Sequence, residues 1–276
     1  MINLAAIAGK ELREAVRNRW VVAATLLLGA LALSLTLLGS APTGTTGANA
    51  LDVVVVSLSS LTILLLPLIA LLISHDTLVG EVERGTMLLL LGYPVARWQV
   101  VLGKFVGHMI VLAIATLVGF GAAGVAILIT VRDIAAESWA AFAAMIGASL
   151  LLGAAFLAIG ACVSALARSR GAAAAVAIGL WLLFVVVYDL ALLGVLVADQ
   201  GAHLGAGAIE AVLLLNPTDA YRLLNLTGFA NVSLFSGMAG LAGTVSLAAP
   251  TLVAALVAWT VLPLAAATAA FARKEI

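Results

Sequence analysis

Residues able to do chemistry are few in this chain and do not cluster. His75-Asp76 is an adjacent pair that could exchange a proton, and His108-Met109 with Cys162 offers soft donors of the kind Cu(I) favours. No HExxH helix, paired cysteine or methionine-rich run accompanies them, so no metal relay is expected and Cys162 reads as a small packing residue. No GxxxxGK[ST] loop occurs, and Phe105 follows Gly103-Lys104 where a magnesium-binding hydroxyl would be needed. The chain is therefore expected to hold no nucleotide, cofactor or metal of its own. Gly119-Phe-Gly121-Ala-Ala-Gly124 fits a dinucleotide fingerprint in letters only. No strand precedes it, and close helix packing explains it better, as it does Gly103 and Gly107. Asp189 stands apart, because an ionisable group inside a membrane span costs about 2.5–3.5 kcal/mol and needs a partner. Tyr188, Arg222 or a second copy of the chain are candidates, and two roles stay open: a structural hydrogen-bonding group, or the lining of an outward-facing cavity.

The elements that position these residues follow from composition. Of 276 residues, 64% are apolar and 9% charged, and the formal net charge is zero. A water-soluble domain is nearly excluded, and no charged field argues for nucleic acid. A spanning helix needs about 20 apolar residues. The stretches Trp20–Leu38, Val53–Ser74, Phe105–Val131, Trp139–Ala167, Gly171–Ala198 and Thr251–Ala272 meet this, and among them only the fifth carries a formal charge, Asp189. Sorting the connections by Lys and Arg places every such residue except Arg132 and Arg222 on one side, which predicts both termini in the cytoplasm. Trp20 and Trp139 then fall at the inner and outer interfaces. The first stretch is longer than a signal-peptide core, so Ala48-Asn49-Ala50 is not expected to be a cleavage site.

Ahead of the first span, Leu4, Ala8, Leu12 and Val16 recur every four residues while Lys10, Glu11, Arg13, Glu14 and Arg17 take other faces. The pattern predicts an amphipathic helix on the inner leaflet rather than a flexible basic anchor. The loop between the second and third spans is the longest and most charged on the inner side. Gly85-Thr86 divides it into two helical stretches and Tyr93-Pro94 closes the second, a layout suited to docking a cytosolic partner. The external segment 199–250 is too apolar for a solvated loop. Ile209–Leu215 and Tyr221–Leu226 are expected as short helices at the outer interface, separated by a turn at Asn216-Pro217-Thr218-Asp219 in which Thr218 or Asp219 caps the second helix. The sequons at Asn225 and Asn231 carry no weight.

The opening Lys10-Glu11-Leu12-Arg13…Arg17-Asn18-Arg19, the six spans, and the inner loop Gly80-Glu-Val-Glu-Arg-Gly85-Thr86…Gly-Tyr93-Pro94…Arg97…Gly103-Lys104 resemble the type-2 ABC exporter permeases. Three stretches narrow the resemblance: Leu66-Pro67…Asp76…Val79-Gly80-Glu81, Gly103-Lys-Phe-Val-Gly-His108, and Leu213-Leu-Leu-Asn216-Pro217-Thr218-Asp219…Tyr221-Arg222…Gly228-Phe229. Over essentially the whole chain, they are similar to the permease subunits of transporters that mature nitrous oxide reductase. The resemblance implies an all-α polytopic membrane protein of the bacterial inner membrane, with six transmembrane helices and an N-terminal elbow helix. It makes residues 1–276 a single permease domain, with the elbow at 1–19, a coupling-helix loop at 75–104 and the external segment at 199–250. It also implies a homodimer, a separate ATPase subunit that binds ATP and magnesium, and a periplasmic β-helical accessory protein. Glu81, Glu83, Arg84, Gly85, Thr86, Leu88 and Arg97 would then couple to the ATPase, and Asn216, Pro217, Asp219, Tyr221 and Arg222 would contact the periplasmic partner. A permease of the same type exporting a drug, lipid or polysaccharide is the main alternative, and an ion-coupled secondary transporter a more distant one, since a single intramembrane carboxylate is too few.

Overall fold

In hydrocarbon a backbone must satisfy its own hydrogen bonds, and the computed structural model does so with helices throughout. It describes residues 2–17, 19–39, 50–131, 134–199, 205–226 and 247–274. The helices are α1 (Ile2–Arg17), α2 (Arg19–Gly39), α3 (Ala50–Ser74), α4 (Val79–Glu83), α5 (Thr86–Leu91), α6 (Arg97–Thr130), α7 (Ala136–Leu166), α8 (Arg170–Leu182), α9 (Tyr188–Asp199), α10 (Ala206–Leu214), α11 (Pro217–Leu226) and α12 (Ala249–Arg273). Stretches 51–83, 97–130, 136–166, 170–199 and 249–273 are long and apolar enough to cross a bilayer, and the first predicted span is the shorter apolar stretch Val22–Leu37 within α2. Arg132, Ala48, Asn49, Thr227, Asn231 and much of the external segment lie outside the described residues.

Many hydroxyls in the spans are satisfied locally. Ser57, Thr62, Ser74, Ser149 and Thr268 each donate to the carbonyl four residues earlier, which spares a partner on another helix. The core gathers on α7, whose small residues admit α3 and α12 closely. A Cβ added at Gly160 would overlap Ser74 Oγ, and one at Gly153 would overlap Leu112. Gly119 likewise lies against Gly29 of α2, with its Cβ position 3.4 Å from the Gly29 Cα, and Gly124 against Phe142 at 3.1 Å, whereas Gly121 faces open space.

Three features differ from expectation. The fifth span is not one regular helix: residues Leu183–Val187 form a π-helical turn between α8 and α9, a local feature with no signature in hydrophobicity. The sixth element, α6, starts at Arg97 instead of Phe105 and is 34 residues long, roughly 50 Å, so its first turns extend below the hydrocarbon. In α1 the buried face runs through Ile7, Ala8, Glu11 and Ala15. Glu11, expected on the polar side, is buried because α6 supplies a cation to receive it.

Candidate functional site

The inner loop becomes a rigid assembly through a few polar contacts. Ser164 of α7 accepts from the backbone N–H groups of Leu78 and Val79 (2.9 and 3.1 Å), supplying partners for α4 where its own turn has none. Glu81 Oε1 accepts from Lys10 Nζ (2.7 Å) and Lys104 Nζ (2.8 Å), and Lys104 also donates to Glu11 (2.6 Å). Lys104 is 2% exposed and sits between two carboxylates from different elements. His108 Nε2 lies 3.2 Å from the other oxygen of Glu11, and its Nδ1 lies 3.2 Å from Thr77 Oγ1. Burial alone would raise the Glu11 carboxyl. The hydrogen bond with His108 and the charge of Lys104 outweigh burial and hold it well below the usual carboxylate range. The stability this contributes is present above that range and is lost as pH falls into it.

Gly85 takes a left-handed φ of 71°, which separates α4 from α5 as the sequence predicts. α5 then turns Met87 inward, against Leu78, Val100 and Phe271, and Leu88 and Leu89 outward, where they are 58% and 73% exposed. Tyr93 and Trp98 extend the apolar surface on either side of the Pro94 turn. Of the residues predicted to couple to an ATPase, Glu83, Arg84, Gly85, Thr86 and Leu88 are exposed. Glu81 and Arg97 are committed inside. Arg97 Nη1 donates to the carbonyls of Phe271, Ala272 and Lys274 at the end of α12, and Lys274 Nζ donates to those of Ala165 and Ala167 at the end of α7. These two cations close helix ends whose carbonyls lack intrahelical donors. Asp76 pairs with Arg170 (3.1 Å) and not with His75.

On the opposite side α11 is buried rather than lying at an interface, and its cap is Asn216, with Pro217 as first helical residue. Asn216 Oδ1 accepts from the Thr218 N–H (3.0 Å), while its amide donates to the Phe184 carbonyl (3.0 Å) and to Asp219 (2.9 Å). Thr218 Oγ1 also reaches the Phe184 carbonyl at 3.0 Å. Arg222 bridges Asp219 (2.7 Å) and Asp189 (2.6 Å), so of the three candidate partners for Asp189 it is Arg222 that pairs with it within the chain. Tyr221 is fully buried, with its hydroxyl 3.0 Å from Ser149 of α7. Asn216, Pro217, Asp219 and Tyr221, expected to touch a periplasmic partner, are thus occupied within the chain. An apolar chain shields a polar helix cap best by burying it, and exposed neighbours such as Leu215 are what this side presents.

Burial pushes the Asp219 carboxyl up; Arg222 counters it, the Asp189 carboxylate adds to it, and the balance lies at about 7. A folded value above the ordinary 3.8 means stability that is complete below that pH and lost as pH rises through about 7. The Asp219→Asn variant is therefore expected to lose this decline: thermal unfolding in detergent from about pH 4 to about 7, the window of the shift, should show wild type weakening relative to the variant. Parallel curves would refute the assignment.

A membrane-spanning all-α chain with an elbow helix docked on a split inner loop defines a permease architecture. Residues 5–276 match the ABC-2 family transporter protein family, and the chain belongs to it. It is 46% identical over 271 residues, 98% of each chain, to a protein of Pseudomonas aeruginosa named "Probable ABC transporter permease protein NosY". It is 43% identical over 270 residues, 97% of each chain, to a protein of the same name from Stutzerimonas stutzeri.

Lys104, Ser164 and Arg170 are the site residues that the sequence reading leaves unassigned. Lys104 counts there as an inner-side cation and a motif residue without a contact, Arg170 only as an inner-side cation, and Ser164 has no signal at all, because its role depends on where α7 ends relative to α4.

Proposed function

We propose that this chain is the membrane subunit of an ABC transporter that serves assembly of the copper sites of periplasmic nitrous oxide reductase. It is non-catalytic itself and couples ATP hydrolysis on a separate ATPase subunit to export or to conformational work on a periplasmic β-helical partner. It works as a homodimer in the bacterial inner membrane, with both termini in the cytoplasm. The near full-length similarity to two proteins named NosY supports the assignment. The observation that carries the mechanism is the α5 crest. Leu88 and Leu89 are exposed on a short helix whose other side is locked by Met87, Glu81 and Lys104. An apolar crest on a rigid base is suited to insertion in a groove of another protein, because it is already ordered before binding.

ATP binding closes the ATPase pair, the groove carries α5 with it, and packed helices move as bodies rather than bending. Nucleotide acts only through contacts that differ between the two states, and those lie at this loop. The Leu88→Asp/Leu89→Asp variant is expected to lose co-purification of the ATPase by about tenfold or more, with its melting temperature unchanged. Leu88→Pro is expected to leave insertion intact and to lower reductase copper. Normal copper content with either variant would overturn the assignment; mass identification of co-purified subunits tests the partner set directly.

A further inference from the structure

The underside of the docking loop rests on the far end of the chain. Met87, Leu91 and Val95 share one apolar cluster with Ala267 and Phe271 of α12 and with Ala165 of α7, and Met87 and Phe271 are fully buried. Two cations fasten the end of α12 beside this cluster. Arg97 is the first residue of α6 and is joined to α5 by Gly92–Ala96 alone. Its Nη1 donates to the carbonyls of Phe271 (3.0 Å), Ala272 (3.1 Å) and Lys274 (2.6 Å), and its guanidinium carbon lies 5.9 Å from the centre of the Phe271 ring. Lys274 Nζ donates in turn to the Ala165 (3.0 Å) and Ala167 (2.9 Å) carbonyls at the end of α7. Last-turn carbonyls have no donor within their own helix and carry the negative end of its dipole, so a cation is the fitting cap for each. Contacts therefore run from α7, the helix on which the core gathers, through the end of α12 to the base of α5. All lie inside one protomer and do not depend on what a second copy covers.

We propose that the C-terminal end of α12 is a brace that sets the docking crest, with Arg97, Phe271 and Lys274 as its positioning residues. This rests on the permease reading above and adds what holds α5 at the height and angle that the ATPase groove requires. With 6 residues, α5 is too short to be stable as a helix alone, and Met87 is its one buried residue. Its orientation comes from what lies beneath it: Phe271 on the side of Met87, and the Arg97 anchor just beyond the Pro94 turn. Loosening either keeps Leu88 and Leu89 in the chain but frees α5 to take other angles, and an ATPase that must order it on binding binds less tightly. Arg97 thus serves coupling through α5 and not by touching the ATPase.

The test measures the Kd of the ATPase for the purified full-length chain. Arg97→Gln is expected to weaken binding about tenfold, and Arg97→Lys, whose ammonium still donates to carbonyls, to recover part of the loss. Lys274→Gln, at the other end of the brace, carries the same expectation, so a misfolded Arg97→Gln leaves the test intact. Leu89→Ala weakens binding directly. Combined with Arg97→Gln, the joint loss should be smaller than the product of the two, because a crest already off its angle has less to lose. A nitroxide on Leu89→Cys, in a chain whose one cysteine is removed by Cys162→Ala, gives a second readout without ATPase. Its spectrum should be restricted on the native scaffold and mobile with Arg97→Gln or Lys274→Gln. A native Kd in both variants, losses that simply multiply, or an unchanged nitroxide spectrum overturns the inference alone. A native chain that binds no ATPase overturns the permease reading and this inference with it.

Discussion

Replacing Lys104 by methionine is expected to cost about 3–5 kcal/mol of stability, because it leaves buried carboxylates without their cation. Glu11 and Glu81 come from α1 and α4, and Lys104 Nζ lies 2.6 and 2.8 Å from them. Lys10 reaches Glu81 at 2.7 Å and Glu11 only at 3.6 Å, and it is about half exposed, so solvent screens it and it replaces a buried cation poorly. His108 serves Glu11 alone. The effect is read as a lowered melting temperature of the purified protein in detergent. The triple variant Lys104→Met/Glu11→Gln/Glu81→Gln should recover most of the loss, since it removes the charges together. An unchanged melting temperature for the single variant would show that the cluster carries no energetic weight.

Gly107→Leu is expected to detach the elbow helix. A Cβ at this position would lie 2.6 Å from the Glu11 Cβ and 3.1 Å from the Ala8 carbonyl, and backbone cannot step aside as a flexible side-chain tip does. Overpacking of this kind costs about 1–3 kcal/mol. Here the displacement also takes Glu11 away from Lys104, so the loss should lie at or above the upper end. Gly121→Leu on the same helix is the control, because nothing lies within 4 Å of its Cβ position. Faster proteolysis of residues 2–17 and a lower melting temperature should appear in the first variant and not in the second.

What could be read in advance was what depends on one helix at a time. Apolar run length locates the spans within a few residues except at the inner end of α6, Gly85 marks the break between α4 and α5, and the isolated charge of Asp189 demands a partner, which is Arg222. What escaped depends on how two helices meet. Glu11 reads as polar-side because the apolar four-residue spacing of its own helix leaves it on another face. Only the approach of Lys104, distant in sequence, makes that position interior. Arg97 looked like part of the docking loop because it is charged and close to Pro94, yet the end of α12 lies beside it and takes its donors. The sequence favours Thr218 or Asp219 as the cap, whereas Asn216 provides it. The proline after it is what sets the helix start, since a residue without an N–H is best placed in the first turn.

The inner loop has two faces with separate duties. On the proposed function Leu88 and Leu89 face the ATPase, while Glu81, on α4 across Gly85, is ion-paired to the elbow and to α6. That proposal writes recognition and transmission in different residues, so the first can drift or be regrafted without rewriting the second. A hybrid bearing another permease's crest on this scaffold would answer to a foreign motor and still deliver its stroke to the same machinery.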